Sequence, residues 1–364
     1  MKVCTKCVLP ETVPGIKFDE DGVCNFCNDS KFIEKVSINR EFSCEDELIE
    51  CIKKYKNTDR KYDVLVPVSG GADSSNVLIT LVQKYNLRAL AFHNDHGYED
   101  NVATDNVRKL CKSLGVDLVL MQHDYDFMKK LWKYINESNV KGLNSCYVCG
   151  NILYLNAIET ANKFNIPLVI NGYSKGQALQ VNDEKQGHEL LEKLIDIVIE
   201  TGDKEFSNQF MDKYKMLGKR VAFKQKEDIQ LYADSDKILF IPFYVFDFYK
   251  IDKEALKTKI RETFDWRQMK ISYPGRTTNC EMIWLNTYMD LKKMGYCNYH
   301  IEYAELVRQG EISRDQALID LEFNPPEGLV ERLADEIKID INMFNKNKQE
   351  QSVQKKNMEV EFDF

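Results

Sequence analysis

Residues 64–75 read Val64-Leu65-Val66-Pro67-Val68-Ser69-Gly70-Gly71-Ala72-Asp73-Ser74-Ser75. The first five residues are apolar and rich in β-branched side chains, which is typical of a buried strand in a parallel sheet. A glycine turn follows, and Gly70 and Gly71 lack a Cβ, so their backbone can approach a ligand closely. Ser74 and Ser75 stand at a predicted helix N-terminus, where free N–H groups attract an anion. The segment predicts a phosphate cradle, against the alternative of a tight strand–helix turn without a ligand.

The order Ser-Gly-Gly-x-Asp-Ser is neither a Walker A loop nor Gly-x-Gly-x-x-Gly. It resembles the PP-loop of the N-type ATP pyrophosphatases, the adenine nucleotide alpha hydrolase superfamily. In that family the loop holds the pyrophosphate of ATP while a substrate carbonyl oxygen attacks the α-phosphorus. The resemblance implies an enzyme that uses ATP and Mg²⁺, with Asp73 catalytic and near the metal ion. It assigns the phosphate and nucleotide contacts of the loop to Ser69, Gly70, Gly71, Asp73, Ser74 and Ser75.

Strand and helix patterns alternate beyond this segment. Strands are predicted at 88–94, 117–122 and 167–171, and helices at 101–114, 127–135 and 152–163. Such alternation predicts an α/β fold with a doubly wound parallel sheet, which the resemblance makes HUP-like. Ligands of such sheets bind beyond the carboxyl ends of the strands.

Two further strand ends are therefore candidates. The family resemblance places Phe92 and Asn94 against the nucleotide. His93 and His96 at the same strand end could suggest a metal, but a solvated strand end is the favoured interpretation for them. It also turns the loop after the last predicted strand, with Gly172 and Lys175, toward the α-phosphate. Lys175 would offset charge there as a catalytic cation. A glycine loop without a ligand is the alternative.

Composition narrows the function class. The chain has 364 residues and a formal net charge of −8, so a large basic surface for nucleic acid is not expected. No apolar run is long enough to span a membrane, and the eleven cysteines without a secretory signal indicate the cytoplasm. In that compartment cysteines more often bind metal or do chemistry than form disulfides.

The N-terminal segment contains Cys4-x-x-Cys7 and Cys24-x-x-Cys27. It has few large apolar residues, so it needs a cross-link, such as a bound metal ion, to fold. Two Cys-x-x-Cys pairs at this separation predict a closed, structural zinc site, with an iron–sulfur cluster or free thiols as alternatives.

A second group comprises Cys146, Cys149 and the distant Cys280. Three thiolates would hold a [4Fe-4S] cluster with one iron open to an external ligand such as hydrosulfide. Cys297 could add a fourth thiolate and close the site. Zinc, catalytic persulfide or disulfide chemistry, and unrelated cysteines are the alternatives.

This cysteine pattern resembles that of the iron–sulfur-dependent enzymes that insert sulfur into tRNA, which implies sulfur transfer with Cys280 as a catalytic cysteine. A competing resemblance covers both ends of the chain. Residues 4–24 and Gly310–Leu318 look like the N-acetyl sugar amidotransferases, which use ammonia from a glutaminase partner. That family does not rely on the mid-chain Cys-x-x-Cys.

We expect five parts: a zinc ribbon at 1–35, a PP-loop core at 36–182, a helical insertion or substrate subdomain at 183–270, a C-terminal helical part at 271–343 and a disordered tail at 344–364. The expected reaction adenylates an amide or carbonyl oxygen and then replaces that oxygen with sulfur, or alternatively with ammonia. The acidic balance favours a small-molecule, sugar or carrier-bound substrate over tRNA. A sulfur donor or glutaminase partner and an oligomer are possible, and a non-catalytic nucleotide-binding zinc scaffold is the hypothesis from another class.

Overall fold

A computed structural model describes residues 1–29, 42, 44–56, 59–173, 184–213, 238–243, 253–270, 272–275 and 278–343. Within these residues a five-stranded, all-parallel sheet has the order β3-β2-β1-β4-β5. The strands are β1 (Val64–Pro67), β2 (Ala89–Asp95), β3 (Asp117–Gln122), β4 (Leu168–Asn171) and β5 (Leu239–Pro242).

The described helices lie before, between and after the strands. They are α1 (Asn25–Asn28), α2 (Glu45–Tyr55), α3 (Ala72–Ile79), α4 (Asn101–Leu114), α5 (Tyr125–Glu137), α6 (Ser145–Lys163), α7 (Glu184–Glu200), α8 (Lys204–Lys213), α9 (Lys253–Thr263), α10 (Met282–Met294), α11 (Asn298–Arg308), α12 (Arg314–Asp320) and α13 (Leu329–Ile337). A π-helical turn, Thr80–Lys84, continues α3.

The sheet is buried on both faces, as the apolar run of β1 predicts. Val64 and Val66 belong to one core cluster, whereas Leu65 between them belongs to another. Successive strand residues point to opposite faces, so each strand supplies both clusters. Helices α3 and α4 cover the first face, and α6 covers the second through Ala157 and Ala161. The doubly wound α/β fold predicted from the sequence is confirmed.

Two local predictions need correction. Residues 183–270 are not purely helical, because β5 lies within them and pairs in parallel with β4. Helix α6 begins at Ser145 rather than near 152, since the Asn144 side chain caps it by accepting from Tyr147 N at 2.9 Å. Cys146 and Cys149 therefore lie inside the first turns of this helix.

The N-terminal segment packs on helices from the far end of the described chain. Its four cysteines share a cluster with Tyr303, Ala304, Ala317 and Leu321. Arg314 Nε donates to the carbonyl oxygens of Cys4 (3.1 Å) and Cys7 (3.0 Å). The predicted boundaries at 35 and 271 stay predictions, but these two parts share one core. Among the described helices, none combines the length and apolar character that a membrane crossing requires.

Candidate active site

The strand order reverses between β1 and β4, and the loops that follow these two strands meet there. Gly172, directly after β4, approaches the turn after β1 so closely that a Cβ on it would lie 2.9 Å from Ser74 N. In open α/β sheets this reversal point forms the crevice that binds ligands. The glycine turn predicted as a phosphate cradle lies in this crevice.

Three successive carbonyl groups of the turn are held from behind. The Asn279 side-chain amide donates to Ser69 O. Gly70 O accepts from Asn106 Nδ2 at 3.1 Å and from Trp266 Nε1 at 3.0 Å. Gly71 O accepts from the Ser75 hydroxyl at 2.7 Å.

These anchors fix the direction of the turn's N–H groups. A trans peptide is planar and its N–H points opposite to its C=O. The N–H groups of Gly70, Gly71 and Ala72 therefore face away from the anchors, as in the nests that bind phosphate. Residue 70 must be a glycine for this arrangement, because its φ is +77° and a Cβ would lie 2.2 Å from Ala103 O.

The loop hydroxyls differ in their surroundings. Ser69 N and Ser69 Oγ each lie 3.1 Å from Ser74 Oγ, so these groups form one polar corner. Asp73 is partly exposed in the first turn of α3. Ser75 is fully buried and its hydroxyl serves Gly71, so the structure gives it a role inside the loop. The contacts of these residues with ATP and Mg²⁺ stay predictions.

The other residues that were predicted to contact the nucleotide are less accessible to solvent. Phe92 is fully buried in the second core cluster. Asn94 is buried too, and its Oδ1 accepts from His123 Nε2 at 2.8 Å and Asn156 Nδ2 at 3.0 Å. Lys175 lies outside the described residues, so its role as a cation at the α-phosphate stays a prediction.

A buried ion pair borders the crevice. His93 Nδ1 lies 2.8 Å from Val68 O, immediately before the PP-loop-like turn, and its Nε2 lies 2.9 Å from Glu99 Oε2. Burial opposes the charge on His93, but the hydrogen bond to Glu99 wins and raises its pKa. Sequence reasoning missed Glu99, whose backbone pairs with that of Cys280.

The three cysteines of the second group lie in one place. Cys146 is exposed, and Cys149 and Cys280 are partly exposed. Protein atoms nevertheless surround them, so desolvation raises the pKa of each thiol, that of Cys146 to about 12. Charge on Cys146 and Cys149 further raises the pKa of Cys280, which shows their proximity. We call this site, accessible yet densely enclosed, the thiol recess (Cys146, Cys149 and Cys280).

Helix α10 supports the recess from behind. Asn286 Nδ2 donates to Cys146 Sγ at 3.2 Å, and Asn144 Nδ2 donates to Asp290 Oδ2 at 2.8 Å. Burial raises the pKa of Asp290 and lowers that of neighbouring Lys293. Cys297 is nearly inaccessible, with Sγ 3.3 Å from His300 Nδ1.

The donor set of the recess fits a cluster better than a single ion. Within the described part of the chain, the one group of three or more His, Cys, Asp or Glu ligand atoms lying within 4.8 Å of one another is the N-terminal one. At least one pair of the recess sulfurs therefore lies more than 4.8 Å apart. Each thiolate of a [4Fe-4S] cluster binds a different iron, so a separation larger than that of a one-ion site is compatible with such a cluster.

The N-terminal cysteines have the spacing of a one-ion site. Cys4 Sγ lies 4.0 Å from Cys27 Sγ, and Cys7 Sγ lies 3.8 Å from Cys24 Sγ. Tetrahedral geometry with zinc–sulfur bonds of about 2.3 Å places the sulfurs about 3.8 Å apart. The contact with Cys7 lowers the pKa of Cys27, and Arg308, buried beside the four cysteines, adds a smaller lowering. These four buried thiols fit Zn²⁺, and the adjacent Arg308 guanidinium is paired with Glu305 at 2.7 Å.

The chain is similar to several known proteins over part of its length. No family model matches the chain. The chain is 29% identical to the glutamine-hydrolysing GMP synthase of Pyrobaculum aerophilum over 101 residues, which are 28% of this chain and 20% of that protein. It is 27% identical to a tRNA-specific 2-thiouridylase of Nitratiruptor sp. over 118 residues, 30% of this chain and 34% of that protein. Both relatives are PP-loop ATP pyrophosphatases.

The chain resembles the PP-loop ATP pyrophosphatases. It spans only a fifth to a third of the length of these two PP-loop relatives. A longer match, 22% identical over 276 residues, is to an uncharacterised protein of Methanocaldococcus jannaschii, of which it covers 78%. The resemblance inferred from Ser69–Ser74 is confirmed, and the turn is called the PP-loop from here on.

Solved structures add two distant neighbours. The U34-tRNA thiolase of Methanococcus maripaludis with its [4Fe-4S] cluster is 15% identical, with a TM-score of 0.35 over 88% of this chain and 90% of that one. The NH3-dependent NAD synthetase of Campylobacter jejuni is 14% identical, with a TM-score of 0.30 over 53% and 97%. These scores are too low to carry an argument about the site.

Proposed function

We propose that the protein adenylates a substrate amide or carbonyl oxygen with ATP and then replaces that oxygen with sulfur at the thiol recess. The observation that carries the proposal is the position of residues 278–281. Asn279 contacts the PP-loop, and the next residue, Cys280, belongs to the recess. An acyl group activated at the PP-loop would therefore lie beside three thiols.

The first step follows from the loop geometry. The phosphates of ATP would bind the N–H groups of Gly70, Gly71 and Ala72, and Asp73 would hold Mg²⁺. The substrate oxygen forms a bond to the α-phosphorus, and the bond from this phosphorus to the bridging oxygen breaks to release pyrophosphate. Fixed N–H groups stabilise the charge that develops on the phosphate oxygens without reorganisation.

The second step exchanges the leaving group. Hydrosulfide attacks the adenylated carbon, AMP leaves with the former substrate oxygen, and a thiocarbonyl or thioamide remains. A [4Fe-4S] cluster held by Cys146, Cys149 and Cys280 would supply an open iron for the sulfur. The chain contributes the enclosure of the recess, the Asn286 hydrogen bond to Cys146, and the link through Asn279.

We propose zinc for the N-terminal site and a small-molecule, sugar or carrier-bound acceptor. The formal net charge of −8 disfavours the many phosphate contacts that tRNA requires. A sulfur donor would act as partner.

Anaerobic purification with metal analysis and absorbance spectroscopy tests the proposal. The protein should be brown and contain about four irons beyond one zinc. Cys146→Ala, Cys149→Ala and Cys280→Ala should each bleach it, whereas Cys44→Ala, which alters an exposed cysteine at the start of α2, should not. Iron content that survives loss of the three recess thiols would refute the cluster assignment.

The match to a glutamine-hydrolysing GMP synthase favours a second candidate, in which ammonia attacks the same adenylated carbon and gives an amidine. A glutaminase would then be the partner. Colourless protein with one zinc, and product formation that depends on ammonia rather than sulfide, would establish this alternative. Both candidates require pyrophosphate release from ATP, which separates them from a non-catalytic scaffold.

A further inference from the structure

Residues 278–281 contact two sites at once. The Asn279 side chain donates to Ser69 O in the PP-loop. The adjacent Cys280 pairs with Glu99 in an isolated antiparallel bridge. Asp100 N donates to Asn279 O at 2.8 Å, and Glu281 N donates to Tyr98 O at 2.9 Å. No residue separates the amide that holds the PP-loop from the third thiol of the recess.

The carbonyl that Asn279 contacts is the first of the three anchored carbonyl groups of the PP-loop. Ser69 O and Gly70 N belong to a single rigid peptide, so Asn279 sets the direction of the Gly70 N–H. Ser69 N and Ser69 Oγ both lie 3.1 Å from Ser74 Oγ. A phosphate that enters the cradle would compete for the Ser69 N–H and hydroxyl, and any small shift of the Ser69–Gly70 peptide that results would act directly on the Asn279 amide.

We propose that Asn279 is a positioning residue that couples nucleotide occupancy of the PP-loop to the position of the Cys280 thiol. The inference rests on the proposed function only in placing ATP on the PP-loop. It requires neither a cluster nor a particular nucleophile. A residue that merely pinned the 278–281 loop would hold Cys280 equally with and without nucleotide.

Thiol labelling of the full-length, reduced protein before cluster reconstitution, with its N-terminal metal retained, tests this coupling. Iodoacetamide modification is followed by mass spectrometry, which gives separate rates for the recess cysteines. With Mg²⁺ and saturating ATP, the Cys280 rate should change by about twofold or more. Asn279→Ala and Asn279→Asp should abolish this response, and the Asp variant keeps the volume while losing the donor.

Asn106→Asp is the matched control. Asn106 donates to Gly70 O, the next carbonyl, but has no link to Cys280. The variant should bind ATP more weakly and keep the Cys280 response at saturation. Melting curves and zinc content verify that each variant folds.

The outcomes separate the two claims. The coupling alone would be overturned if ATP binds the wild-type protein without changing the labelling rate of Cys280. It would also be overturned if the Asn279 variants keep the ATP-dependent change in that rate. Wild type that binds no ATP at the PP-loop would overturn the proposed function, and the coupling with it.

Discussion

Gly172→Ala tests the approach of the two loops at the crevice. A Cβ at this position would lie 2.9 Å from Ser74 N, 3.0 Å from Ser74 Cα and 3.2 Å from the carbonyl carbon of Asp73. Ordinary contacts of carbon with heavy atoms are about 3.5–4.0 Å, so one loop must move by about 0.5–1 Å. All three contacted atoms belong to backbone at the start of α3, so no flexible side chain can absorb the shift.

The expected cost follows from overpacking. Inserting a methyl group into a well-packed site costs about 1–3 kcal/mol. If the PP-loop moves, this cost appears in nucleotide binding, and the Kd for ATP rises about 5- to 150-fold. If the β4 loop moves instead, the cost appears in the free energy of unfolding.

Isothermal titration calorimetry with an ATP analogue and Mg²⁺, together with denaturant unfolding, measures both quantities. Gly150→Ala is the matched control, because a Cβ there meets nothing within 4 Å and the residue is helical. It should leave the Kd unchanged and stabilise the fold by up to about 1 kcal/mol. Gly172→Ala with wild-type Kd and wild-type stability would refute the close approach.

Three further predictions concern other parts of the molecule. Gly70→Ala places a side chain on a residue with a φ of +77°, and its Cβ would lie 2.2 Å from Ala103 O. The free energy of unfolding, measured by chemical denaturation, should therefore fall by about 2 kcal/mol or more. An unchanged value would contradict this turn geometry. Cys24→Ala should release the N-terminal metal, measured with a colorimetric zinc indicator, and lower the melting temperature, whereas a variant that keeps one zinc per chain would exclude Cys24 as a ligand. Burial, with the nearby charges of His96 and Lys213, lowers the pKa of His123 to about 4, so its stabilising contribution is present above about pH 6.5 and is lost as pH falls toward 4. Between pH 7 and pH 5 wild type should therefore lose about 1–2 kcal/mol more than His123→Gln in urea unfolding, and equal losses would show that His123 titrates normally.

The sequence predicted correctly those elements whose conformation is determined by neighbouring residues. The strand, PP-loop and α3 are contiguous, and the burial of Val64–Val66 on alternating faces follows from their apolar character. β5 was missed because four residues ending at Pro242 have no periodicity of their own. Their strand conformation depends on pairing with β4, which lies far away in sequence.

The candidate site could likewise be predicted from the sequence only in part. The cysteine pairs were visible as spacings, but the place of Cys280 depends on its bridge to Glu99, which no spacing reveals. Asn106, Trp266 and Asn279 were missed as anchors of the PP-loop. Each contributes one donor from a remote segment to a backbone carbonyl, and such a donor leaves no pattern in the sequence.

The contact between Arg314 and the Cys4 carbonyl joins residues 310 positions apart. At ribosomal speeds, on the order of 15–60 s separate the emergence of these two residues. The two Cys-x-x-Cys pairs must therefore wait, with their apolar neighbours still uncovered, until α11 and α12 are synthesised. If the proposed zinc binds early, it would keep those neighbours ordered during the delay, and metal supply would then matter for biosynthesis as well as for the finished fold.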